Sequence, residues 1–383
     1  MSKTAKIIIG LIVLILIIWG ISSSTKETTD TPSASNEPIR IGFIGALTGD
    51  GAVYGATEKN AITLALEKIK QRPEFADRTI EIIYEDGKCS GKDAATAAQK
   101  LVNIDQVKLI FGGICSGETL GAAPITEKGG VILFAAFSSA PAITNAGDYV
   151  FRNSPSDIDA AKLDAEVLSQ KYKKIAIISE TAEYSEGLRK SLSERLAAKG
   201  VTIVADETYA SGIKDFRTIL TKVKNANPDA IYYNSGTSPA SAGLLLNQAR
   251  DLGIKAPAYF NFLMGNEETI KIAGKNAEGV IFSDGIGLRP ENKNLLDEYK
   301  ARFGSNPGNE YELGAAYDRV FILFNAIKAV GTDPTKIRDY LYSMPDYKGT
   351  IGTYHFDQNG DMTLVGYTSY IIKDGKKTAY TPE

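Results

Sequence analysis

From Pro38 onward the chain repeats one scheme: a short apolar run, a polar turn, then an amphipathic segment. Ile39–Ile44, Ile80–Tyr84, Leu109–Phe111 and Val131–Phe134 have the length and continuity of buried parallel strands. Between them, Ala56–Ile69 places Ile62, Leu66 and Ile69 on one helical face and Lys92–Asn103 gives a second helix. A third helix opens near Ser116, with Glu118 in its first turn. The scheme continues with strands at Lys174–Ile178, Val201–Asp206, Asp229–Asn234 and Gly279–Phe282, and helices at Glu186–Lys199, Phe216–Asn225 and Ala240–Leu252. Two long helices follow, Asn292–Phe303 and Glu310–Val330. The chain closes with a hairpin region turning at Asp357–Asp361 and a strand at Val365–Ile372. Asn359-Gly360 at that turn predicts type I′ geometry. Strands alternating with helices at this spacing mean an α/β fold with parallel sheets covered on both faces. One doubly wound sheet rarely takes so many units, so two Rossmann-like lobes are expected, with Asp148–Asp157 and Ile286–Pro290 as crossings between them.

Ahead of this pattern, Lys3 and Lys6 precede an unbroken apolar run, Ile7–Ile21. A positive segment followed by a long apolar one marks the rest as exported. Extension through Ala5 and into Ser22–Ser24 brings the run near spanning length, and no cysteine follows it for lipid attachment. The run is therefore read as an uncleaved anchor helix over residues 1–24 with Lys3 and Lys6 cytoplasmic. Cleavage and release, with a start near Thr25, is the alternative. Residues 25–37 are small, polar and unable to bury anything, which reads as a flexible tether.

Composition narrows the chemistry. The 383 residues carry a net charge of −3, with no basic stripe to hold nucleic acid. The one histidine, His355, would have to carry a Ser-His-Asp mechanism or a His-rich metal site alone, and it sits between Tyr354 and Phe356 like a structural residue. Gly42, Gly45 and Gly49 lack dinucleotide spacing, no Gly-Lys-Ser/Thr is present, and Asp357–Asp361 lacks the frame of a calcium loop. No cofactor or metal is expected. Cys89 and Cys115 each follow a strand and could share a sheet edge. Outside the cytoplasm they would pair in a disulfide; the alternative is two buried thiols.

The densest polar signal lies in Leu109–Pro141. The turns Gly112–Gly117 and Ala135–Pro141 lie beyond the carboxyl ends of neighbouring strands, where α/β sheets bind small ligands. Their serines and a helix N-terminus offer a seat for a carboxylate or phosphate. Two ordinary turns with capping serines would look the same.

Six segments in order carry a resemblance: Ala46–Gly55 (ALTGDGAVYG), Tyr84–Cys89 (YEDGKC), Gly112–Thr119, Ala182–Gly187 (AEYSEG), Tyr311–Val320 (YELGAAYDRV) and Lys348–Asp361 (KGTIGTYHFDQNGD). Together they resemble the extracytoplasmic solute-binding proteins of ABC transporters with the type I fold, specifically the branched-chain amino-acid (Leu/Ile/Val-binding) family, over Ile39–Gly375. The resemblance implies two lobes joined by three crossings that close over a ligand. It divides the chain into residues 38–152 and 286–366 for lobe 1, and 153–285 and 367–383 for lobe 2. It implies a Cys89–Cys115 bridge, and partnership with an ABC permease and its ATPase. It implies that Ser116 and Ser139 hold a ligand carboxylate, that the Phe137 carbonyl takes an ammonium, and that Tyr184 and Tyr54 line the rim. Two positions depart from the family. Phe262 stands where an acid should neutralise the ammonium, and the second lid tyrosine falls near Gly236-Thr237. The ligand is then an apolar or aromatic carboxylate without an amine, or an amino acid whose ammonium meets another acid such as Glu118, Glu183 or Asp284. A membrane-tethered sensor of the same fold is the second reading; an α/β enzyme is the third.

Overall fold

The computed structural model describes residues 37–381. The apolar run and all of the tether before Glu37 lie outside the described residues. Two sheets organise the rest. The first takes β1 (Ile39–Gly45), β2 (Ile80–Asp86), β3 (Leu109–Phe111), β4 (Ile132–Ala135) and β5 (Val150–Arg152), all parallel, in the order β2-β1-β3-β4-β5. Its helices are α1 (Ala52–Ile69), α2 (Gly91–Asn103) and α3 (Ser116–Gly129). Strand β1, IRIGFIG, is buried except at Arg40, as a strand covered on both faces must be.

The second half begins with α4 (Asp157–Lys171), β6 (Lys174–Glu180), α5 (Glu183–Ala198), β7 (Thr202–Tyr209) and α6 (Arg217–Asn225). It continues with β8 (Ala230–Asn234), α7 (Pro239–Asp251), β9 (Ala258–Phe260), α8 (Glu267–Ala273) and β10 (Ile281–Gly285). Then come α9 (Asn294–Phe303), α10 (Glu310–Val330), α11 (Pro334–Tyr342) and the small pair β11 (Tyr347–Lys348) and β12 (Thr353–Tyr354), before the strands β13 (Tyr367–Lys373) and β14 (Lys376–Ala379). The second sheet has the order β14-β13-β10-β9-β8-β6-β7, with β13 antiparallel to both of its neighbours, β10 and β14, and the other pairs parallel. Its parallel part repeats the connectivity of the first sheet. In each, the chain reverses its direction of travel across the sheet beside the first-formed strand, at β1/β3 and at β6/β8. Such switch points open a crevice at the carboxyl ends of the strands.

Helix α10 returns the chain to the first half. It packs on α1 and the segment after it, where Phe75 and Phe324 meet edge to face at 5.1 Å and Arg72 donates to Asn325. Arg319 is wholly buried on α10, pairs with Glu58 of α1 and donates to the carbonyl of Phe134. Replacing one partner of such a pair strands a buried charge. The segment after β5 and the Asp357–Met362 turn run side by side, because Arg152 N–H donates to Gly360 O and Met362 N–H to Arg152 O. The buried Arg152 guanidinium also grips Asp361 at 2.6 and 2.8 Å.

The short elements β5, β9, α8 and α11 are not among those expected from the sequence, and two further differences are instructive. The segment after β5 was read only as a crossing, yet α4 begins at Asp157, with Ser156 capping it. Its buried face is largely alanine (Ala160, Ala161, Ala165), which leaves a faint apolar period. The hairpin at Asn359-Gly360 is not type I′, which needs positive φ at both central residues. Only Gly360 has it, at +75°, and its N–H bonds to Asp357 O, so Gln358-Asn359 form the turn and glycine follows as the left-handed residue.

Candidate functional site

Every turn that reaches the space between the two switch points leaves a strand at its carboxyl end. From the first sheet come Tyr54 after β1, Ile114, Cys115 and Ser116 after β3, and Phe137 and Ser139 after β4. From the second come Tyr184 after β6, Gly236 and Thr237 after β8, and Phe262 after β9. These residues line one cavity, about 350 Å³ of space that is partly open to solvent. All seven candidate residues from the sequence, Tyr54, Ser116, Phe137, Ser139, Tyr184, Thr237 and Phe262, share it. Ile114, Cys115 and Gly236 join them; they are flanking turn residues with no side-chain signal of their own.

The wall is aromatic. Phe262 meets Phe137 at 5.1 Å, Tyr184 at 5.5 Å and Tyr54 at 6.0 Å between ring centroids, mostly edge to face. Tyr54 also meets Phe137 at 5.4 Å. Rings from both halves thus close on each other, in the geometry that aromatic quadrupoles favour. Burial holds the phenols of Tyr54 and Tyr184 well above their ordinary range, so both act as neutral hydroxyls. The starts of α3 and α5 also touch. A side-chain carbon at Gly117 would lie 2.6 Å from a Glu183 carboxylate oxygen, so a larger residue there would push the Glu183 side chain aside.

The polar corner is built by hydroxyls with fixed partners. Ser116 Oγ accepts from the N–H groups of Ser139 and Ala140, at 3.2 and 3.1 Å. Both its lone pairs are engaged, so its proton is free to be donated, beside the open N–H groups of the α3 N-terminus. Ser138 ties the same two turns together, donating to Gly113 O and Ile114 O. Ser139 Oγ points the other way and donates to Asp157 Oδ2 at 3.1 Å.

Of the acids named from the sequence, Glu118 and Asp284 are held by partners, whereas Glu183 is exposed at the start of α5, beside Gly117, and makes no hydrogen bond or ion pair among the described residues. Glu118 accepts from the N–H groups of Cys89, Ile114 and Cys115 and shapes the turn; burial pushes its carboxyl up to about 7 against those donors. Asp284 is paired with Lys377 at 2.5 Å and bonded by Asn309. Glu267, five residues beyond Phe262, receives a bond from Asn306 and does not line the cavity. Cys89 and Cys115 form a disulfide beside Glu118, which leaves neither thiol for a metal. His355 pairs with Asp346 at the surface, outside the cavity. The residue that the sequence reading missed is Asp157. The signal was present, since Ser156-Asp157 with Asp159 is a helix start with acids in its first turn.

A doubly repeated α/β fold with an aromatic-walled cavity between its two switch points defines a two-lobed solute receptor. Residues 38–376 match the periplasmic binding protein family, and the chain belongs to it. It is 29% identical over 344 residues to the leucine-, isoleucine-, valine-, threonine- and alanine-binding protein of Pseudomonas aeruginosa, covering 88% of this chain and 91% of that one. It is 28% identical over 334 residues to the Leu/Ile/Val-binding protein of Escherichia coli, covering 85% and 88%. Among solved structures, the substrate-binding protein LivJ of Streptococcus pneumoniae in complex with isoleucine superposes with a TM-score of 0.79 at 28% identity, covering 90% and 98%. A solute-binding protein of R. palustris in complex with 4-hydroxybenzoate shares the fold, with a TM-score of 0.81 at 20% identity over 91% and 96% of the chains.

Proposed function

We propose that this chain is the extracytoplasmic substrate-binding component of an ABC transporter. It closes on a small amino acid or related carboxylate and delivers it to a membrane permease served by an ATPase. The observation that carries this reading is the convergence of Ser116, Ser139, Phe137, Tyr54, Tyr184, Thr237 and Phe262 on one cavity between two switch points. Relatives named for leucine, isoleucine and valine support an amino acid, and the fold-mate holding 4-hydroxybenzoate keeps simple carboxylates in view. Binding itself needs no bond-making step. The ligand carboxylate meets Ser116 and the α3 N-terminus, its apolar part meets the aromatic wall, and the halves shut water out. Micromolar affinity asks for about 8 kcal/mol. Charge-assisted hydrogen bonds of about 1.5–3 kcal/mol each, with an apolar side chain packed on the rings, supply that after ordering costs. Outside the cytoplasm, the tether would keep the receptor near its permease. A thermal-shift screen of amino acids and small organic acids tests the reading. A rise in melting temperature with at least one of them is expected; no shift with any would count against it.

A further inference from the structure

The edge of the second sheet that lies away from the cavity, where its parallel strands begin, carries a row of lysines. Lys174 opens β6, Lys199 precedes β7, Lys224 precedes β8, Lys255 precedes β9 and Lys275 precedes β10. Strand β13 runs antiparallel to β10, so its last residue, Lys373, reaches the same edge, where Lys376 opens β14. Backbone bonds tie these turns together: Gly279 N–H donates to Ile372 O, Asp229 N–H to Lys174 O and Thr202 N–H to Lys173 O. Every strand of the sheet thus has a lysine at this edge, and all of them are exposed. With about 4.8 Å between neighbouring strands, the row runs for roughly 30 Å.

Little at this edge neutralises the row. Lys199 pairs with Glu166 and Lys224 donates to Leu252 O, but the rest form no ion pair among the described residues. Asp229 accepts from the N–H groups of Lys173 and Lys174, and Glu278 from those of Asp374 and Gly375, so both carboxylates brace turns. Asp251 and Asp374 are exposed here too, yet with Lys171 and Lys173 beside the row the lysines outnumber these acids. Cations at helix carboxyl ends offset the helix dipole, which accounts for Lys171, Lys199 and Lys224. It does not account for Lys174, Lys255, Lys373 or Lys376, which lie in turns or at strand ends. Arg250 is turned inward and donates to Ile254 O and Ala256 O. The row is therefore made of point charges on flexible stems, without the planar fork that grips a single phosphate or carboxylate.

We propose that this edge binds a linear polyanion, a flexible chain bearing a negative charge every few ångströms. A line of lysines matches a line of charges, whereas a compact anion needs donors that converge on one point. Binding of this kind is driven by counterion release, so it weakens with salt and is indifferent to the chemistry between the charges. The sequence shows no basic stripe because the contributors are scattered from Lys174 to Lys376, with each strand supplying its own. The cavity lies at the carboxyl ends of the strands and the row at their amino ends, so a bound polymer leaves ligand exchange unobstructed.

Calorimetry on the full chain in neutral detergent tests this with long-chain polyphosphate, tripolyphosphate and polyglutamate. At low salt the long chain should bind at least about thirtyfold tighter than tripolyphosphate, and polyglutamate of equal length within about tenfold of it. Affinity for the long chain should fall with salt by about 0.7 decade per decade for each lysine engaged. Lys255→Gln, Lys275→Gln and Lys373→Gln together should weaken it at least about tenfold and flatten that slope. Lys92→Gln, Lys128→Gln and Lys336→Gln together, which remove exposed lysines elsewhere, should change it less than about threefold. Should the first triple variant melt lower than the wild type, the wild-type salt slope and the comparison of chain lengths decide alone. A slope near zero, tripolyphosphate bound as tightly as the long chain, no binding of polyglutamate, or equal loss in both triple variants overturns the proposal. Micelles doped with phosphatidylglycerol that displace the long chain at equal total charge would make a lipid surface the partner and overturn it likewise.

Discussion

Ser116→Ala is the most informative single change, because one oxygen serves both the fold and the proposed ligand. Its removal strands the buried N–H groups of Ser139 and Ala140, now bonded at 3.2 and 3.1 Å. A net protein hydrogen bond is worth about 1 kcal/mol and a buried unsatisfied donor costs about 1–3 kcal/mol, so a stability loss of about 2 kcal/mol follows. The ligand separately loses a hydroxyl donor to its carboxylate, worth about 1.5–3 kcal/mol, or roughly 10- to 150-fold in Kd. Urea melts and calorimetry on the same preparation read the two effects apart. Ser139→Ala is the comparison. No backbone N–H of the described residues bonds to its hydroxyl, but the change takes a donor from the buried Asp157 carboxylate, so it should cost about 1.5–3 kcal/mol of stability while still weakening binding. Unchanged affinity in Ser116→Ala, in a protein whose melt has shifted as expected, would refute the carboxylate seat; an unshifted melt would refute the bridging role.

Further expectations concern the wall, the bridge and pH. Phe262→Ala removes ring contacts to Tyr54, Phe137 and Tyr184, and should weaken an apolar ligand at least tenfold by calorimetry, with the far-ultraviolet spectrum unchanged. Replacing both cysteines by serine opens a link spanning 26 positions and should cost about 3.5 kcal/mol in a urea melt by loop-closure entropy; a loss under 1 kcal/mol would contradict it. Burial raises Asp164 and Asp318, neither of which lines the cavity, to about 7 from ordinary values near 3.8. The folded state then binds more protons than the unfolded one between those limits. Stability is full below about pH 4 for these groups and is lost as pH rises through 7, by up to about 1.4 kcal/mol per pH unit for each. The ligand-free protein should melt higher at pH 5.5 than at pH 8, and Asp318→Asn should flatten the dependence.

Much of this was legible in the sequence because it rests on local rules. Leu109–Phe111 and Glu310–Val330 carry their apolar pattern plainly, and the structure places those elements at the same residues. The serines of the two turns stood out because polar residues beyond a buried strand have few purposes other than capping or binding. The structure places both in the cavity wall. Asp157 was not found. Its helix buries alanines, so its period is weak, and its meaning depends on Ser139 and Tyr367, which are 18 and 210 positions away. The turn at Asn359-Gly360 was misread for a related reason. Asp357 Oδ1 accepts from Asn359 and Asp361 N–H groups and Arg152 holds Asp361, and these contacts select a turn that the dipeptide alone does not.

The central claim is that a small carboxylate sits between the two switch points with its charge against Ser116. Diffraction from crystals grown with the acid that raises the melting temperature most tests it directly. The account predicts a carboxylate oxygen within hydrogen-bond distance of Ser116 Oγ, with the apolar remainder against Tyr54, Tyr184 and Phe262. A ligand bound elsewhere, or one whose carboxylate faces Asp157 instead, would contradict it.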